Sequence, residues 1–167
     1  MAALAGTAAL AACTPTFNWR EVRAEPAGLK AMLPCKPDKA VRQVTMAGRE
    51  VSLEALGCDA GGSTFAILSA DIGTGAAAGE FLSQWQAITL SRLRSDSAQA
   101  MPFLPPGAID LPESRQVVAS GQRPDGSKVQ SRAAYFSHGH HVFQAVIYSN
   151  ALTPEIAEPF FAGLAFE

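Results

Sequence analysis

Charge is sparse in this sequence, and it is never gathered into a block of one sign. Lys and Arg number 13 and Asp and Glu 15 in 167 residues, a formal net charge of −2. Binding a phosphate backbone takes a basic stripe. The cations here are scattered, so no nucleic-acid partner is expected. Apolar runs are short as well: none reaches the roughly 18 residues of a membrane-spanning helix. Cysteine is rare, three in all, and no Cys-x-x-Cys pair occurs to form a redox centre. There is no Gly-x-Ser-x-Gly elbow to expose a serine nucleophile. The glycine-rich stretches 57–62 and 73–79 lack phosphate-loop or dinucleotide spacing and read as turns. These absences point away from an enzyme and away from a bound cofactor.

What is present is the making of one globular domain. Hydrophobic residues are 48% of the chain and charged residues 17%, a balance that buries a core rather than staying disordered. The chain opens with Ala2–Ala12 (AALAGTAALAA) and then Cys13. Eleven apolar or small residues match the hydrophobic core of a secretory signal. Leu10-Ala-Ala-Cys13 resembles the lipobox of bacterial lipoproteins, in which the cysteine is acylated and becomes the mature N-terminus. Residues 1–12 are therefore expected to be a signal peptide and 13–27 a lipidated cysteine and linker. Anchoring through the acyl chains makes the membrane a partner of the mature protein. Thr14 after the cysteine implies the outer membrane rather than the inner by the usual sorting pattern. No Lys or Arg precedes the apolar run, which puts the true start upstream of Met1 or makes the leader weak. The competing reading is an N-terminal helix and an ordinary thiol, but Leu4 and Leu10 are too little apolar surface to dock such a helix.

Acylation of Cys13 would leave Cys35 and Cys58 as a pair, and export would place them where a disulfide persists. The local pattern brings them close. Val41–Met46 and Arg49–Leu56 read as strands joined by Ala47-Gly48. With Met46 opposite Arg49, Cys58 falls opposite Pro37, two residues from Cys35.

The remaining elements follow from periodicity. Leu29–Leu33 reads as a short strand ended by Pro34, and Ser63–Asp71 as a strand from the middle of a sheet. Residues 78–94 carry Phe81, Leu82, Trp85, Ile88 and Leu93 at helical spacing. Strands are expected near 114–122, 127–137 and 142–148, with turns at Arg123–Gly126 and Gly139. Thr153 and Pro154 start a last helix, which Pro159 makes short, broken or restarted at Glu158. Residues 14–27 read as a spacer in which Phe17, Trp19 and Val22 are apolar enough to dock. Tight turns make neighbouring strands antiparallel. The expected class is therefore α+β, a mainly antiparallel sheet packed by two helices.

Several stretches carry a family resemblance: Leu29-Lys-Ala-Met-Leu-Pro-Cys-Lys-Pro-Asp38, Phe65–Ile72, Gly126–Ser149, and the closing Pro-Glu, Phe-Phe and Leu. Over residues 28–167 the chain resembles PsbP-like domains. With Asn18-Trp-Arg-Glu-Val-Arg23 and the two domain cysteines, it is similar to small proteobacterial lipoproteins that carry such a domain. The resemblance implies an α/β/α sandwich and, by analogy with the extrinsic photosystem protein, a docking subunit without catalytic residues.

Two segments are candidates for function. Met101, Phe103, Leu104, Ile109 and Leu111 concentrate apolar surface in a proline-rich loop, 101–112, where prolines oppose a ladder strand. These side chains either cover a sheet edge or form a preformed patch for another envelope protein. His138, His140 and His141 sit around the Gly139 turn and could bind a transition metal. No carboxylate lies near them in sequence, so an exposed polar turn is the favoured reading. Asp71 could orient a histidine but reads more simply as the cap of the turn at Gly73. The whole is expected to be a periplasm-facing lipoprotein that binds rather than catalyses. The alternative is a periplasmic enzyme or a carrier of a small ligand or metal.

Overall fold

The computed structural model describes residues 15–167. The leader and Cys13 lie outside the described residues. Eleven elements follow in chain order: β1 (Arg20–Ala24), β2 (Leu29–Leu33), β3 (Asp38–Met46), β4 (Arg49–Ala60), β5 (Ser63–Asp71), α1 (Ala78–Arg92), β6 (Ser97–Pro102), β7 (Arg115–Gln122), β8 (Lys128–His138), β9 (His141–Ser149) and α2 (Pro154–Ala162). β3 to β9 form a seven-stranded sheet in the order β3-β4-β5-β9-β8-β7-β6, and β1 pairs with β2 apart from it. Every pairing is antiparallel. The fold is α+β, as the turn chemistry implied.

Each face of the sheet carries its own core. On one face Phe65, Ile67, Phe136, Phe143 and Ile147 meet α2 and the β1–β2 hairpin. Phe65 and Phe160 cross edge to face at 5.6 Å, and Phe136 stacks on Phe143 at 5.3 Å. Such offset and edge contacts stabilise by about 1 kcal/mol each beyond area burial. On the other face Phe81, Leu82 and Trp85 of α1 pack on Ala70, Val117, Tyr135 and Val146. α1 runs over the residues its stripe predicts and stops at Arg92, with Glu80 in its first turn and Arg92 in its last complementing the helix dipole. Its far end is pinned where the Gln122 amide donates to the Leu93 carbonyl at 2.7 Å. A Cβ on Gly121 would lie 2.3 Å from that carbonyl oxygen, so only glycine fits there.

The hairpin register is the expected one, with Met46 opposite Arg49 and Asp38 opposite Gly57. Cys35 and Cys58 form a disulfide with Cα atoms 6.0 Å apart. A bridge spanning 23 residues stabilises by about 3 kcal/mol on the loop-entropy account.

Two expectations are corrected. The segment read as a spacer contains β1, which pairs residue for residue with β2 from Arg20↔Leu33 to Ala24↔Leu29. Phe17 and Trp19 pack edge-on against Phe65. The domain therefore begins near Phe17 rather than at 28, because alternating apolar residues there have a core to enter. The proline-rich segment is not wholly irregular: β6 carries Met101 and Pro102 into the sheet, opposite Gln116 and Arg115. β6 is the outermost strand, where a missing N–H costs no ladder bond. Of the three forms that Pro159 left open for the last helix, the short one holds: α2 passes through Pro159 unbroken over nine residues.

Candidate functional site

α1 covers only part of its sheet face, and the remainder forms a cleft of about 530 Å³. Leu53, Ala66, Leu68, Ile88 and Val146 give it apolar walls. The period-2 alternation of β4, β5 and β9 puts Leu53, Ala66, Leu68 and Val146 on the α1 side of the sheet, and Ile88 lines the cleft from α1 itself. Polar groups converge within them. Gln144 Nε2 donates to both Thr89 Oγ1 and Tyr135 Oη at 2.9 Å. Burial pushes the Tyr148 phenol up to about 12, so it remains a neutral hydroxyl. Arg92 and Arg123 line the cleft, and no Asp, Glu, His or Cys among the described residues does. Arg123 is held by the Lys128 carbonyl at 3.0 Å and Asn150 Oδ1 at 2.8 Å. Arg92 has no acidic partner among the described residues. Chemically, the lining combines apolar walls with two guanidinium groups. A volume of roughly 300–1,000 Å³ is usual for small-molecule sites.

The five apolar residues of the 101–112 region separate into two groups. Phe103 meets Phe161 edge to face at 6.2 Å and packs on the α2-side core. Leu111 packs on the α1-side core. Met101, Leu104 and Ile109 stay 45%, 47% and 41% exposed. Phe103, Leu104 and Leu111 border a shallow groove of about 520 Å³. Part of the segment thus covers the sheet, and three side chains remain on the surface.

The histidines also divide. His138 is occupied structurally: its ring stacks on Phe166 at 4.1 Å and its Nδ1 lies 2.8 Å from the Gly107 carbonyl. His140 and His141 turn the other way, toward Asp71. The β5–β9 register places Asp71 opposite His141, supplying a carboxylate absent from the sequence neighbourhood. His140 Nδ1 sits 2.5 Å from Asp71 Oδ1, and His141 Nε2 4.0 Å from Asp71 Oδ2. Asp71 also accepts from the Gly73 amide at 2.8 Å, the turn cap read from sequence. That amide, followed by the His140 hydrogen bond, holds the Asp71 carboxyl below its usual range. Burial holds His141 down, against the opposing pull of Asp71.

The cleft went unread in the sequence, although two signals mark it. Gln144 interrupts the apolar run of β9, and Thr89 lies on the buried side of α1. A polar residue at a core position usually has a partner, and these two are each other's. No family model matches the chain, and no curated protein matches it.

The two neighbours in the 101–112 segment are expected to respond differently to charge. Phe103→Asp removes the Phe161 contact and should cost about 3 kcal/mol, read as a lowered urea midpoint. Leu104→Asp should leave the unfolding free energy within about 0.5 kcal/mol of wild type and the midpoint nearly unchanged.

Proposed function

We propose that this chain is a non-catalytic binding protein of the bacterial envelope that takes up an amphipathic anion, such as a single acyl chain with an acidic head, in the cleft beside α1. One observation carries the reading: an apolar cleft of about 530 Å³ lined by two arginines and no acid. The apolar walls suit a hydrocarbon body, and burial of that surface supplies most of the affinity. Arg92 and Arg123 suit a carboxylate or phosphate, since guanidinium donors match planar oxyanions. Among the described residues the lining also lacks any group that titrates near neutrality, which favours binding over acid–base chemistry.

Placement at the membrane agrees with this reading. The lipobox-like segment makes Cys13 the anchor on a periplasm-facing protein, with the outer membrane favoured by Thr14. Cys13 precedes Phe17 by four residues, so it reaches at most about 14 Å from it. Phe17 packs against Gly61 in the β4–β5 turn. Ser63 lies opposite Ser149, so the cleft residues Arg123 and Pro124, in the turn joining β7 to β8, belong to that same end of the sheet. An anchor at Cys13 would thus present the cationic end of the cleft to lipid. A second reading, a docking face for another envelope protein, is supported by the exposed Met101, Leu104 and Ile109.

Two measurements check the proposal. The dye 1-anilinonaphthalene-8-sulfonate, an apolar body with one anionic group, should bind saturably and be displaced by laurate. Ala66→Trp should fill the cleft and abolish binding without lowering the melting temperature below that of a folded domain. Arg92→Glu should weaken the sulfonate dye about tenfold while sparing neutral N-phenyl-1-naphthylamine. Absence of saturable binding, or full binding by folded Ala66→Trp protein, contradicts the assignment. For the anchor, Cys13→Ser protein expressed in a Gram-negative host should move from the membrane fraction to the soluble fraction. Retention in the membrane would remove lipidation from the account.

A further inference from the structure

At the opposite end of the β5–β9 pair from the arginines, we propose that Asp71, His140 and His141 form a binding site for a divalent transition-metal ion. The inference does not depend on the cleft, which lies on the other face of the sheet. Strand register makes the cluster: Asp71 ends β5 opposite His141, which begins β9. Gly139, at a φ of 58°, turns the chain so that His140 folds back beside them. The two imidazoles stack with centroids 4.8 Å apart. One ligand atom from each residue, His Nδ1 or Nε2 and a carboxylate oxygen, lies within 4.8 Å of the others.

Metal bonds of about 2.0–2.2 Å bring donor atoms to within about 3.5 Å of one another. His141 Nε2 must close in from 4.0 Å, while His140 Nδ1 must give up its 2.5 Å hydrogen bond to Asp71 Oδ1 and move out, each by about an ångström. His140 and Asp71 are exposed at a turn, free of core packing that would oppose this, while His141 is only 14% exposed and gives the site one fixed ligand. The Gly73 amide already orients the carboxylate through Oδ1, the kind of supporting hydrogen bond that metal ligands receive. Beside Asp71 and His141 a cavity of about 140 Å³, which Ser52, Glu54 and Ser69 also line, leaves room for water and a further carboxylate.

The donor set selects the ion. Two imidazoles and one carboxylate suit zinc, copper or nickel, and disfavour calcium and magnesium, which prefer oxygen ligands. Three protein ligands leave open positions for water or an incoming donor. His138 takes no part, because Phe166 and the Gly107 carbonyl hold its ring.

Tag-free, metal-stripped protein titrated with zinc chloride in a calorimeter should bind one ion per chain with micromolar affinity. Copper(II) should bind more tightly and show nitrogen hyperfine coupling in its electron paramagnetic resonance spectrum. His140→Ala and Asp71→Asn should each weaken zinc at least about tenfold, with circular dichroism confirming the fold. His138→Ala should change nothing. Zinc binding weaker than millimolar in folded wild-type protein overturns the site. So does loss of affinity in His138→Ala equal to that in His140→Ala, which would reduce the effect to imidazole count.

Discussion

The pairing of β5 with β9 joins two halves that are otherwise contiguous in sequence. β3, β4 and β5 form one meander, and β6 to β9 form the other. Nine residue pairs, from Ser63↔Ser149 to Asp71↔His141, hold the halves together. A slip of one residue would turn Phe65, Ile67, Phe143 and Ile147 out of the α2-side core and exchange them with the residues beneath α1. The two faces bury different sets, so the register is strongly specified. Both candidate sites depend on it. It seats Gln144 and Tyr148 in the cleft wall and brings Asp71 to the histidines.

The cleft is a consequence of covering a wide sheet with one helix. Seven strands at about 4.8 Å spacing span about 29 Å, whereas a helix with its side chains is about 10–12 Å across. On the other face, α2 and the β1–β2 hairpin share the work. On the α1 face the helix is committed by the Leu93–Gln122 contact and by Gln84, whose Oε1 accepts from the Ala47 amide. The portion of β4 and β5 left uncovered keeps apolar side chains at the surface of a cavity. Surface of that kind is costly in water, and a ligand that covers it gains the corresponding free energy.

Much of this architecture is legible in the sequence. The Ala47-Gly48 turn fixed a hairpin register that put Cys58 beside Cys35, and the disulfide follows from it. The Phe81–Trp85–Leu93 stripe gave α1 to within two residues of its end. β1 was hidden because Arg20, Glu21 and Arg23 make the segment look solvated. Its partner β2 supplies the ladder that its composition does not advertise. β6 was hidden because Pro102 and Pro105 argue against a strand, yet an edge tolerates the first of them. The Asp71–histidine cluster was legible only in its separate parts. Its members lie about 70 residues apart in the chain, and only long-range register unites them. The cleft was half legible, since Gln144 and Thr89 break apolar patterns at core positions.

The central claim, that the α1 face rather than the 101–112 segment is where this protein meets its ligand, is tested most directly by chemical-shift mapping. Isotope-labelled protein would be titrated with dodecyl phosphate below its micelle concentration. The account predicts that the largest amide shifts fall on Ala66, Leu68, Thr89, Arg92, Val146 and Tyr148. Shifts confined to Met101–Leu111, or no saturable shifts at all, would contradict it.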